Sequence, residues 1–153
     1  MQTMLATIVT WLSVNLGLPA IHELPSIEFV SPEMMQIARR RATELGEAPS
    51  LRTDKPAQPG RDPEVEAFYD DARQTIYLPK SWTSESPADL SVLVHEMVHH
   101  VQNVAGLKYP CPEAREKPAY AAQKKWLAQS GRDLMDEFDL DPMTVLVRTN
   151  CMH

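Results

Sequence analysis

Leu5, Ile8, Val9, Leu12 and Leu16 recur at the three- and four-residue spacing of one helix face, among Thr3, Thr7, Thr10, Ser13 and Asn15. The pattern predicts an amphipathic helix ending near Gly17 and Pro19. Ser26 to Val30 reads as a short strand. Ser31-Pro32-Glu33 starts a helix, with a capping hydroxyl, a proline at the first helical position and an acid behind it. Met34, Ile37 and Ala38 carry it to about Leu45, before Gly46. Residues 47–64 break the periodicity: Pro49, Pro56, Pro59, Gly60 and Pro63 lie among polar residues, as expected of a long loop, functional or disordered.

Val65 to Tyr69 and Thr75 to Pro79 read as two strands joined by the turn residues Asp70 to Arg73, a β-hairpin. Ser86-Pro87-Ala88-Asp89 then opens a helix with a capping hydroxyl and an acid three residues on. Its apolar positions are Leu90, Leu93, Val94, Met97, Val98 and Val101, and Gly106 stops it. A further helix is expected over Glu116 to Gln129. Pro118 argues that its regular part starts near Lys117 and leaves Glu116 in the first turn. Pro142 to Thr149 is apolar and fits a helix or a strand. No internal repeat is evident. The pattern predicts an α+β fold in a single domain over residues 1–153: a small antiparallel or mixed sheet, one strongly apolar helix, and helices packed around it.

Composition narrows the partners. The chain has 153 residues, 43% of them hydrophobic, and a formal net charge of −6. That balance argues against nucleic-acid binding and against a polybasic membrane surface. The first 21 residues carry no charged side chain, yet they lack the positive start of a secretory leader. Their interspersed hydroxyls argue against a membrane span. Two cysteines, Cys111 and Cys151, exclude a disulfide-dense scaffold and a four-thiolate metal site. They are either free thiols of a cytoplasmic protein or one disulfide of a periplasmic or secreted one.

The chemistry concentrates in Leu93-Val94-His95-Glu96-Met97-Val98-His99-His100-Val101-Gln102. On a helix His95 and His99 lie one turn apart on the same face, where both imidazoles reach a single zinc ion. Glu96 sits beside such an ion without being its ligand and is placed to take a proton from water. Three polar side chains inside an apolar stripe are costly unless something pairs with them, and a cation does so. A catalytic zinc takes three protein ligands. Downstream candidates for the third are Glu116, Glu113, His153 and, less readily, His100. Glu116 is preferred because Ala119, Tyr120, Gln123, Trp126 and Leu127 follow it at helical spacing, which turns it toward the core. Glu113, on nearly the same face, is the alternative. His100 points about 100° away from His99 and reads as a core or supporting residue; Gln102 reads as a residue behind the ligands. Tyr120 is a candidate for stabilising a substrate oxyanion. Tyr69, Tyr77, Trp11, Trp82 and Trp126 read as packing residues.

The pair His95-Glu96-Met97-Val98-His99 and Glu116-Lys117-Pro118-Ala119-Tyr120 resembles the zincin superfamily of metallopeptidases, and its gluzincin branch in particular. The resemblance implies that His95, His99 and Glu116 hold Zn2+ and that Glu96 is the general base. It also implies a hairpin strand lying along the cleft to pair with an extended peptide substrate. From Ile27 to Cys151 the chain further resembles small bacterial zincin-like proteins of unknown function. The spacing from His99 to Glu116 is shorter than in large gluzincins, and Ala105 stands where a metzincin has its third histidine.

These readings lead to a zinc-dependent hydrolase acting on peptides or proteins. The alternative is a non-catalytic, zinc-stabilised binding module, since so short a chain leaves little wall for substrate subsites. A weaker alternative is a structural protein without metal. Another divalent ion also suits two imidazoles and a carboxylate. The sequence sets neither an oligomeric state nor a cleavage preference.

Overall fold

The computed structural model describes residues 1–44 and 67–151, the side chains of residues 43 and 44 excepted. The expected loop over 47–64, Val65, Glu66 and His153 lie outside these residues. In chain order the elements are α1 (Gln2–Leu16), β1 (Ser26–Val30), α2 (Pro32–Glu44), β2 (Phe68–Asp70), β3 (Thr75–Pro79), α3 (Pro87–Val104), α4 (Pro112–Ala128), α5 (Leu134–Glu137) and α6 (Pro142–Thr149). The fold is α+β, with a three-stranded sheet of order β1-β3-β2. β3 pairs antiparallel with β2, as a hairpin requires, and parallel with β1, Ile27 opposite Ile76. The sheet is therefore mixed.

The strand alternation sorts residues between two faces. Tyr69, Ile76 and Leu78 turn to the main core, with Leu5, Ile8, Val9 and Leu12 of α1 and the apolar residues of α3. Phe68 and Tyr77 turn the other way and pack with Met35, Ala38 and Ala42 of α2. Their rings stack with centroids 6.1 Å apart. α3 lies between the sheet and α4, and every residue from Ser91 to Gln102 is buried. Its polar residues are thus forced to find partners inside the protein.

Local chemistry explains most boundaries. Gly17 closes α1 in the left-handed conformation (φ 68°), where a side chain would be strained. The Ser86 hydroxyl accepts the Asp89 N–H at 3.2 Å to start α3, and Asp141 caps α6 through the Thr144 N–H at 2.7 Å. That cap makes the segment left open between helix and strand a helix.

Three expectations need correction. α4 begins at Pro112, not near Lys117, because Cys111 Sγ accepts the Ala114 N–H and Pro112 occupies the first position. Glu116 is therefore inside the helix, and Pro118 is accommodated within it. Asp70 ends β2 instead of opening the turn; it is fully buried and accepts hydrogen bonds from the Arg73 backbone and guanidinium. The short α5 was not anticipated. Its Leu134 is buried against Tyr120 and Leu127, out of sequence range.

Cys111 and Cys151 form a disulfide, with Cα atoms 5.9 Å apart. It ties the end of α6 to the start of α4. Among the described residues no helix is long and apolar enough to cross a membrane.

Candidate metal centre

α3 presents His95 and His99 on the face turned to α4, and α4 returns Glu116 between them. Glu116 Oε2 lies 3.0 Å from His95 Nε2 and 3.2 Å from His99 Nε2; its Oε1 is 3.1 Å from the latter. One ligand atom from each residue falls within 4.8 Å of the others, and all three side chains are buried. This donor set, two imidazole nitrogens and a carboxylate, suits zinc and neighbouring divalent ions. Glu113, the sequence's alternative to Glu116, is half-buried and outside this group.

Both imidazoles are oriented from behind. His95 Nδ1 is 3.0 Å from Gln123 Oε1, and His99 Nδ1 is 2.9 Å from Gln102 Oε1. An amide oxygen only accepts, so each Nδ1 carries the proton in the neutral ring and each Nε2 keeps its lone pair for the Glu116 side. The amides are fixed in turn. Gln123 donates to Ser91 Oγ at 3.3 Å. Gln102 donates to the Arg115 carbonyl at 2.9 Å and to Tyr109 Oη at 3.2 Å.

Arg115 completes this support. Its guanidinium makes a bidentate pair with Asp71, one arm at 2.8 Å, and also donates to Gln102 Oε1 at 3.0 Å and the His99 carbonyl at 3.2 Å. The hairpin turn is thereby tied to both helices. A groove of about 570 Å³ runs along Asp71, Gln102, Tyr109 and Arg115, and touches none of the three converging side chains.

The charges follow from burial and proximity. Burial alone would raise the Glu116 carboxyl, but in the metal-free protein the charge of a protonated His99, and hydrogen bonds from Nε2 of imidazoles protonated at both nitrogens, hold it well below the usual carboxylate range. Burial would lower His99, yet the Glu116 carboxylate overrides it and raises the imidazole. Glu96 is raised by burial against the opposing pull of His95 and His99. Among the described residues its Oε2 is buried with no hydrogen-bond partner, a costly arrangement that an incoming donor relieves.

Tyr120 lies edge-on to His95, with ring centroids 4.8 Å apart. Burial pushes its phenol up to about 12, so it remains a donor at neutral pH. Its oxygen accepts from Arg148 of α6 at 3.4 Å. His100 turns away from this group, as its position on the helix predicts. It bonds Tyr69 Oη at 2.8 Å and the Glu23 carbonyl at 2.7 Å, and burial lowers its pKa. Tyr69 is thus a hydrogen-bonding residue as well as a packing one. Trp11 and Trp126 pack edge to face, 5.0 Å apart, at the core margin.

Sequence reasoning did not assign roles to Gln123, Arg115, Asp71 or Arg148. Gln123 carried a signal, since it shares the helix face of Glu116. The others act across chain separations that local patterning does not register.

The chain belongs to the family described as Domain of unknown function (DUF6647). That family model matches residues 1–153. No curated protein and no solved structure matches the chain.

Proposed function

We propose that this protein is a zinc-dependent hydrolase of the zincin type that cleaves peptide bonds. One observation carries the reading: Glu96, a carboxylate with a buried oxygen that has no partner among the described residues, adjoins the convergent His95, His99 and Glu116. Those three would hold the cation, which when bound supplies Lewis acidity toward water and a carbonyl oxygen. Gln102 and Gln123 hold the imidazoles in the tautomer that keeps Nε2 available. Glu96, raised by burial toward the pH at which it exchanges protons, accepts a proton at its free oxygen and returns it to the leaving amine. Tyr120 is the neutral donor beside His95. The Cys111–Cys151 disulfide supports placement in an oxidising compartment, the periplasm or the exterior.

A second reading, a zinc-stabilised binding module without turnover, draws on the near-complete burial of the ligand side chains and on their role in joining α3 to α4. Zinc content and peptide hydrolysis measured on wild type and on Glu96→Gln separate the two. Turnover lost with zinc retained supports the hydrolase. Zinc bound to a wild type that cleaves no peptide supports the module.

A further inference from the structure

Arg148 stands apart from the other cations near the centre. Arg115 is spent on Asp71, and Arg132, farther off, on Glu137. Arg148 is half-buried on α6 and makes no ion pair among the described residues; its hydrogen bond to Tyr120 Oη is long, at 3.4 Å. With no ion pair among the described residues, the guanidinium keeps donors open to a ligand. The disulfide at Cys151 and the Asp141 cap hold both ends of α6, so this position is built and not incidental. Tyr120 links the guanidinium to the centre, because its ring packs on His95 while its oxygen accepts from Arg148. With that oxygen's lone pair engaged, the phenolic hydrogen is left to donate.

We propose that Arg148, assisted by Tyr120, recognises a free carboxylate on the substrate, so that the substrates are short peptides cut close to their C-terminal end. This rests on the hydrolase reading for the reaction but not for the binding. A planar fork of donors matches a carboxylate in a bidentate manner that lysine cannot reproduce.

Binding tests this without turnover. The probes are an N-acetyl dipeptide with a free C-terminal carboxylate and the same dipeptide as its amide. Each is titrated by calorimetry into zinc-loaded Glu96→Gln protein. The expected result is at least tenfold tighter binding of the acid. Adding Arg148→Gln should abolish that preference at unchanged zinc content, whereas Arg148→Lys keeps part of it. Equal binding of acid and amide, no binding of either at millimolar concentration, or a preference that survives Arg148→Gln overturns the proposal. If Arg148→Gln fails to fold, Tyr120→Phe, which removes one hydroxyl, must still weaken acid binding selectively. Wild-type cleavage of amidated peptides at internal bonds, with no acid preference, keeps the hydrolase and overturns the carboxylate site. An acid preference with no cleavage of any peptide does the reverse.

Discussion

Gln123 Oε1 sits 3.0 Å from His95 Nδ1, and Gln102 repeats the arrangement behind His99 at 2.9 Å. Two neutral amides thus fix the orientation and tautomer of the two imidazoles. Removing one should loosen the ring without removing a ligand. Gln123→Leu is expected to weaken zinc binding by about 10- to 100-fold, measured by competition with a chromophoric chelator. Unchanged affinity would mean that packing alone orients His95.

Glu96 lies beside the ligand group but does not belong to it. Glu96→Gln should therefore bind zinc at the wild-type ratio and lose turnover by several orders of magnitude. His99→Ala should lose the metal itself. Elemental analysis of the purified proteins by mass spectrometry checks both. Retained hydrolysis in Glu96→Gln removes the proton-transfer role.

The metal-free protein should respond to pH in a way that zinc reverses. Glu96 and His99 are raised in the fold, so their contributions are full below their unfolded values, about 4.3 and 6.5, and are lost as pH rises through the folded ones. Glu116 is lowered, so its contribution is full above about 4.3 and is lost in acid. Through these groups the metal-free protein loses stability as pH rises, His99 contributing to the loss from about 6.5 upward. Zinc demands neutral imidazoles and binds more tightly as pH rises, adding stability over the same range. Thermal melts with chelator and with excess zinc should therefore diverge from pH 6 to 8. Parallel curves would argue against a metal at these residues.

Cys111 and Cys151 close a loop with a sequence separation of 40 residues. Loop-closure entropy assigns such a link about 4 kcal/mol, less any structure kept by the reduced unfolded chain. Reduction, or Cys151→Ser, should lower the urea midpoint accordingly. It should also weaken binding at the Arg148 end before it weakens zinc binding, since α6 carries no metal ligand. A midpoint unmoved by reductant would mean that packing holds α6 in place.

Asp71 and Arg115 form a bidentate pair, each side chain about a quarter exposed. Asp71→Ala leaves the guanidinium without its partner and frees its hold on Gln102. The expected loss is about 2 kcal/mol together with weaker zinc binding; Asp71→Ala combined with Arg115→Met should lose less through this pair because no unpaired charge remains. Equal losses in the two variants, by chemical denaturation, would refute the charge argument.

The motif helix was legible because all its determinants are local. Ser86, Pro87 and Asp89 start it within one turn, and the four-residue step from His95 to His99 is helix geometry. Glu116 was chosen by the same reasoning, from the periodicity of its own helix. The misplaced start of α4 has a local cause as well. A cysteine cap is weak and rarely used, and Pro118 carries a stronger signal against a helix than Cys111-Pro112 carries for one.

The sequence by itself determined most of the elements, their inward faces and the residues able to bind a cation, because periodicity and capping act within a few residues. Tertiary structure decided what those residues meet. The parallel pairing of β1 with β3, the bond from Gln123 to His95, the Asp71–Arg115 pair and the placement of Arg148 beside Tyr120 all join distant parts of the chain. Each depends on how whole faces are buried together, and no local spacing encodes that choice. The same packing explains why Glu116 completes the group and Glu113 does not: one turn of α4 separates them, and the line along which α4 lies on α3 selects between them.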